Sequence, residues 1–176
     1  MNICVYGAAS SNIDKGYIDG ARELGVQIAK RGHGLVFGGG ATGVMGAVVE
    51  GVYENGGKII GVAPTFFDTP GILFKDCDRF IFTETMRERK QIMEDSSDAF
   101  VVAPGGIGTF EEFFEILTLK QLGQHNKPII MFNCNGYYDD ILALLEKLVD
   151  LGFMGKECLE LCSFCASVDE VFECLQ

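Results

Sequence analysis

Ala99-Phe-Val-Val-Ala-Pro-Gly-Gly-Ile-Gly-Thr-Phe-Glu-Glu112 carries a strand, a turn and a helix start within fourteen residues. Its first five residues form an unbroken apolar run, as in a strand buried on both faces, and the run ends in a proline-glycine turn over residues 104–109. A helical pattern over residues 110–123 follows at once. Strand, glycine turn and helix in direct succession make half of a β-α-β unit, and such units build parallel sheets covered by helices.

The same rhythm runs outward in both directions. Upstream, apolar strand runs at residues 3–6, 35–37, 58–63 and 80–83 alternate with helical patterns at 15–32, 44–54 and 86–96. Downstream, a strand at 128–132 precedes a helix at 137–151, and residues 159–166 read as a last helix and strand. In the helix at 15–32, Ile18, Ala21, Leu24, Gly25 and Ile28 share one face. The expected fold class is therefore α/β, a doubly wound, mostly parallel sheet with helices on both faces. At 176 residues, with no repeat or low-complexity linker, residues 1–176 are expected to form a single domain.

Composition narrows the function. Hydrophobic residues make up 48% and charged residues 22%, which excludes disordered and fibrous classes. Fourteen Lys and Arg against 25 Asp and Glu give a net charge of −11, which repels polyphosphate backbones and anionic lipid headgroups. No nucleic-acid or membrane partner is expected. The N-terminus has no secretory pattern and no apolar run is long enough to span a bilayer, so a cytoplasmic protein with reduced thiols is expected.

Cys158, Cys162 and Cys165 have a C-x3-C-x2-C spacing compatible with an iron–sulfur cluster, and zinc would need Cys174 at irregular spacing. Their terminal position leaves little chain to enclose a cofactor. They read as small apolar residues packing the last elements, and no metal or cofactor is expected. His33 and His125 have no metal-ligand partner in spacing and read as solvated loop positions.

In a doubly wound sheet, ligands collect beyond the carboxyl ends of the strands. There the sequence places three turns, Gly7-Ala-Ala-Ser-Ser-Asn12, Gly38-Gly-Gly-Ala-Thr-Gly43 and Pro104-Gly-Gly-Ile-Gly-Thr109, each leading to a helix N-terminus. Glycine lets backbone N–H groups face inward, and a helix start adds partial positive charge, so such turns suit anions. None is a dinucleotide fingerprint or a Walker loop. Together they read as one mononucleotide or sugar-phosphate pocket. The irregular stretch over residues 64–78 carries Phe66, Phe67, Ile72, Leu73 and Phe74, and a loop of that kind is expected to close over a site or onto a partner.

Two charged segments frame the turns. In Met86-Arg-Glu-Arg-Lys-Gln-Ile-Met93, Arg89 shares a helix face with Met86, Ile92 and Met93, as a site residue or a snorkelling surface arginine. Thr109-Phe-Glu-Glu112 fits the capping box T-x-x-E, in which Glu112 would satisfy free N–H groups at the helix start. A carboxylate there is also placed to stabilise a developing cation. The helix from Phe110 to Leu119 is apolar around much of its circumference, as for a subunit interface or a helix buried within one domain.

Pro104-Gly-Gly-Ile-Gly-Thr-Phe-Glu-Glu112 resembles the P-G-G-x-G-T-x-x-E signature of the Lonely Guy family of phosphoribohydrolases, also labelled possible lysine decarboxylases. The resemblance extends to Gly38-Gly-Gly-Ala-Thr-Gly-Val-Met-Gly46, Gly61-Val-Ala-Pro64, Met86-Arg-Glu-Arg-Lys90, Gln121-Leu-Gly-Gln-His-Asn-Lys-Pro128 and Gly136-Tyr-Tyr138. It implies a Rossmann-like homodimer that cleaves the N-glycosidic bond of a purine nucleoside 5′-monophosphate, whether of cytokinin type or AMP. It also implies Arg89 and Glu112 as the catalytic pair. With the three turns, it nominates Gly7, Ser10, Gly39, Gly40, Gly43, Met86, Lys90, Gly105, Gly106, Ile107, Gly108, Thr109 and Thr118 as substrate-binding residues.

The first turn has Gly7-Ala-Ala-Ser10 where many relatives have C-G-S-S. Residues Pro70-Gly71-Ile72 stand where an acidic contact is common, so the base preference stays open. The decarboxylase label implies a Schiff-base lysine that no feature of the sequence identifies. A different class of function is a non-catalytic nucleotide or molybdenum-cofactor carrier, which would have no need of the Arg89 and Glu112 pair.

Overall fold

Strand β1 (Asn2–Tyr6) shows why the layers form. Ile3 and Val5 face one hydrophobic core, Cys4 and Tyr6 face the other, and all four are buried, so both faces of the strand must be covered. The computed structural model describes residues 1–175. Chain order continues with α1 (Lys15–Lys30), β2 (Gly34–Phe37), α2 (Gly43–Glu54), β3 (Lys58–Pro64), β4 (Arg79–Thr83), α3 (Met86–Asp95) and β5 (Ala99–Val102). Then come α4 (Ile107–Gln121), β6 (Ile129–Phe132), α5 (Asp139–Asp150), β7 (Ser163–Cys165) and α6 (Val168–Glu173).

Among the described residues the strands form one seven-stranded sheet in the order β4-β3-β2-β1-β5-β6-β7, with every pairing parallel. Helices α1, α2 and α6 bury residues in the core on one face, and α3 and α4 in the core on the other, where α5 packs Ile141. The doubly wound α/β expectation holds. The chain winds outward from β1 in one direction through β4, then restarts at β5 on the other side of β1. That reversal creates a crevice between the carboxyl ends of β1 and β5.

Helices α1 and α2 approach closely because glycines stand where they cross. A Cβ added at Gly25 would lie 2.1 Å from the Val48 carbonyl oxygen, and one at Gly51 would lie 2.4 Å from that of Arg22. The neighbours are backbone and cannot swing aside. Gly25→Ala is therefore expected to lower stability by about 1–3 kcal/mol, the usual cost of overpacking, despite alanine's better helix propensity. Urea titration checks this, and an unchanged midpoint would contradict the close-approach account.

One local expectation needs correction and one needs extension. Helix α4 begins at Ile107 with Gly106 as its N-cap, three residues earlier than the T-x-x-E pattern places it. Thr109 thus lies inside the first turn and Glu112 in the second, so Glu112 caps nothing. The helix and strand expected over residues 159–166 are a 3-10 turn over Lys156–Leu161 and β7, and the short helix α6 follows them. Cys162 packs into one core and Cys165 into the other. Among the described residues, no helix is long and apolar enough to cross a membrane.

Candidate functional site

The turns after β1, β2 and β5 meet at the carboxyl edge of the sheet and are bonded to one another. Ala8 donates its N–H to Pro104 O at 3.1 Å, joining the first turn to the third. Met45 N–H donates to Ala8 O at 3.0 Å, and the Thr42 hydroxyl to Ala9 O at 2.6 Å, joining the second turn to the first. The residue 64–78 loop is tied in as well. Ala41 N–H reaches Ile72 O at 2.9 Å and Phe74 N–H reaches Gly39 O at 2.8 Å.

A cavity of about 270 Å³ opens at the carboxyl ends of β1 and β2, beside the turn that follows β5. Gly7, Ala9, Gly38, Gly40 and Thr42 supply one wall. Phe67, Ile72 and Leu73 of the loop supply an apolar wall, and Arg89 and Glu112 bring the charge. The volume is at the lower edge of the usual range for small-molecule sites, and few polar groups converge on it.

Arg89 projects from α3, whose start is set by a true capping box. The Thr85 hydroxyl accepts from Glu88 N–H at 3.1 Å, and Glu88 reaches back to Glu84 N–H at 2.9 Å. Its guanidinium is buried rather than snorkelling. Nη1 donates to Glu112 Oε1 at 2.7 Å and Nε to Val62 O at 3.3 Å. Gly38 makes room for it, since a Cβ there would lie 1.9 Å from Arg89 Nη2.

Glu112 is also buried, and is the one carboxylate among the described residues lining the cavity. Burial pushes its carboxyl above the ordinary value, and the Arg89 guanidinium pulls against that shift. Tyr6, the other titratable wall residue apart from Arg89, is pushed well up by burial and stays a neutral phenol. The arrangement thus offers a single base, rigidly held by a charge-assisted hydrogen bond, in a partly dry crevice.

Of the nominated residues, the structure brings Gly7, Gly40, Arg89 and Glu112 to the cavity lining. Gly39 and Gly43 stand in the same turn and at the start of α2, behind it. Gly105 is buried beneath the Thr109 side chain, while Gly106, Ile107 and Gly108 are exposed at the start of α4. Ser10 and Met86 are exposed outside the cavity wall. Thr118 lies on the outer side of α4 with its hydroxyl donated to Phe114 O at 2.7 Å.

Lys90 does not reach the cavity lining. Its ammonium pairs with Glu111 and, at 2.6 Å, with Glu115. Burial opposes its charge, but the two carboxylates outweigh that and hold its pKa above the ordinary value, opposite to what a Schiff-base lysine needs. Both cations beside the turns are therefore already partnered by carboxylates. Attraction for an anion at this edge rests mainly on backbone N–H groups.

Sequence reasoning missed Val5, Tyr6 and Met45 as wall residues. Their positions at a strand end and flanking a glycine turn were the available signal, but nothing in their residue types marks them.

The family model described as possible lysine decarboxylase matches residues 45–175. A cytokinin riboside 5′-monophosphate phosphoribohydrolase of Mycobacterium tuberculosis is 43% identical over 158 residues, covering 90% of this chain and 84% of that protein. A protein of the same name from Arabidopsis thaliana is 39% identical over 152 residues, covering 86% of this chain and 71% of the relative. Among solved structures, the molybdenum cofactor carrier protein of Chlamydomonas reinhardtii aligns with a TM-score of 0.73 and 29% identity, over 99% of this chain and 97% of its own.

Proposed function

This chain belongs to the family described as possible lysine decarboxylase, and from that premise and the cavity geometry we propose that it hydrolyses the N-glycosidic bond of a purine nucleoside 5′-monophosphate. The products are the free base and ribose 5-phosphate. The observation that carries the reading is the buried Arg89–Glu112 pair at the carboxyl edge of the sheet, with the carboxylate open to a cavity of ligand size.

As the bond from the base to C1′ lengthens, positive charge builds on the ribose ring, and the Glu112 carboxylate stabilises it. As the bond to the base breaks, the oxygen of a water bonds to C1′, one of its protons passes to the carboxylate, and Glu112 then gives that proton to the departing base nitrogen, which restores the carboxylate. Arg89 holds the carboxylate in place and keeps it ionised. The phosphate rests on free N–H groups at the start of α4, residues 106–109, where the helix dipole favours negative charge. The apolar wall of Phe67, Ile72 and Leu73 takes the base.

The exposed Ile107, Phe114 and Leu122 on the outer side of α4 offer a surface for a second copy, and the same reading takes the protein as a cytoplasmic homodimer. Sedimentation equilibrium checks this.

Incubation with AMP and with N6-isopentenyladenosine 5′-monophosphate, followed by quantitation of free base and ribose 5-phosphate, tests the reading. Equimolar appearance of both products supports it, and the faster substrate identifies the base. A carrier, the role named for the Chlamydomonas reinhardtii neighbour, would bind without releasing base.

The reaction also has a pH signature. Only ionised Glu112 can stabilise the cation, so kcat falls as pH drops through its pKa, which burial has raised. The acid limb of the kcat profile is expected above the ordinary carboxylate range. A limb at or below that range would remove Glu112 from the ionisation that controls turnover.

A further inference from the structure

The proline-glycine turn after β5 is held by an unusual set of bonds. Four consecutive carbonyls each accept from a different donor. Ala103 O accepts from the Tyr138 hydroxyl at 2.7 Å, Pro104 O from Ala8 N–H at 3.1 Å, Gly105 O from the Tyr137 hydroxyl at 2.7 Å, and Gly106 O from Phe110 N–H at 3.0 Å. Two of those donors are adjacent phenols. The chain delivers them through a tight turn at the end of β6, where Asn135 and Gly136 both take positive φ, at 55° and 70°. Asn133 closes that turn, accepting Tyr138 N–H at 2.6 Å and donating to Asp139 at 2.7 Å.

The two tyrosines have different tasks. Tyr138 is fully buried, and its hydroxyl fixes the peptide that precedes Pro104, which has no N–H to orient. Tyr137 is partly exposed and fixes the Gly105–Gly106 peptide. In a trans peptide the C=O and the following N–H point in opposite directions, so holding Gly105 O sets the direction of Gly106 N–H. Two adjacent glycines give that peptide little preference of its own. The next three N–H groups, of residues 107–109, precede the first hydrogen bond of α4 and have no intrahelical acceptor.

We propose that Tyr137 is a positioning residue for the substrate's phosphate, because its hydroxyl bond to Gly105 O locks Gly106 N–H into line with the free N–H groups opening α4. The proposal rests on the phosphoribohydrolase reading given above and adds the group that orients the anion-binding turn. The Tyr137 ring is held independently of its hydroxyl, edge-on to Tyr17 at 5.5 Å and to Tyr138 at 4.9 Å between centroids. Removing the oxygen alone therefore leaves the packing in place.

Tyr137→Phe tests this in the full chain. KM for the nucleoside monophosphate is expected to rise about tenfold, the fold-change from losing one hydrogen bond, with kcat little changed. Hydrolysis of the corresponding nucleoside, which has no phosphate, should not respond, so the variant loses preference for the phosphorylated substrate. Binding of ribose 5-phosphate by calorimetry should weaken by a similar factor. Tyr138→Phe serves as the structural comparison, with a lowered melting temperature and a smaller change in that preference. If the wild-type chain turns over nucleoside monophosphates but Tyr137→Phe keeps its KM and its ribose 5-phosphate affinity, the proposal is overturned while the activity stands. If the wild-type chain releases no base, the underlying reading fails instead, and ribose 5-phosphate affinity alone then decides whether Tyr137 orients the turn.

Discussion

Glu112→Gln is expected to reduce base release by roughly 100- to 10,000-fold, the range usual for losing a positioned acid–base group. The amide keeps the shape of the carboxylate and still offers Arg89 Nη1 an acceptor at the position now occupied 2.7 Å away. It removes the negative charge that the ribose cation needs and the site that takes a proton from water. Folding should survive, because the buried hydrogen bond is retained. Kinetics of free-base formation, with far-UV circular dichroism on the same preparation, separate loss of chemistry from loss of fold. A variant with wild-type turnover would remove Glu112 from the mechanism.

Arg89→Met has the second large effect, and it acts on stability as well as rate. The substitution preserves much of the apolar stem but leaves the Glu112 carboxylate buried without its partner. Breaking a buried pair in this way costs about 3–5 kcal/mol. The pair as a whole contributes far less, because each charge has already lost its hydration. The double variant Arg89→Met, Glu112→Gln should therefore recover most of that stability while remaining inactive. Denaturant titration of the four proteins measures this directly. An Arg89→Met chain as stable as wild type, or a double variant no better than the single, would mean that the two charges are not coupled as the 2.7 Å contact indicates.

The sheet was legible in the sequence because its strands are buried on both faces and therefore continuously apolar, as at Ile3 to Tyr6 and Ala99 to Val102. Helices on both faces followed from the alternation of strands with helices, whereas the central place of β1 comes only from the strand order. The helix starts were less legible, and the capping-box pattern shows why. It occurs at Thr85 to Glu88, at Thr109 to Glu112 and at Ser167 to Glu170. The first and third are real caps, and the third marks the short helix α6, where Glu170 N–H reaches Ser167 Oγ at 3.3 Å.

The middle one is not a cap. Gly106-Ile-Gly108 looks too glycine-rich to be helical, yet the first turn of a helix has no inward hydrogen bonds to lose, and glycine is tolerated there. Starting α4 three residues early moves Glu112 off the helix end and onto the cavity wall.

Within the site, Arg89 was legible as a charge on an apolar helix face, and Glu112 as a carboxylate beside a glycine turn whose spacing also fits a cap. Their direct contact was not, because it depends on the Arg89 guanidinium passing over Gly38, where any Cβ would block it. Nor was the pairing of Lys90 with Glu111 and Glu115 on α4. That pairing changes what the net charge of −11 means for the ligand, since the side-chain cations beside the turns are neutralised and backbone donors remain.

A structure of the Glu112→Gln protein with an intact purine nucleoside 5′-monophosphate tests the central claim most directly. The anomeric carbon is expected beside residue 112, the base against Phe67, Ile72 and Leu73, and the phosphate on the N–H groups opening α4. A nucleotide bound away from the cavity lined by Arg89 and Glu112, or one with its phosphate turned away from Gly106, would contradict it.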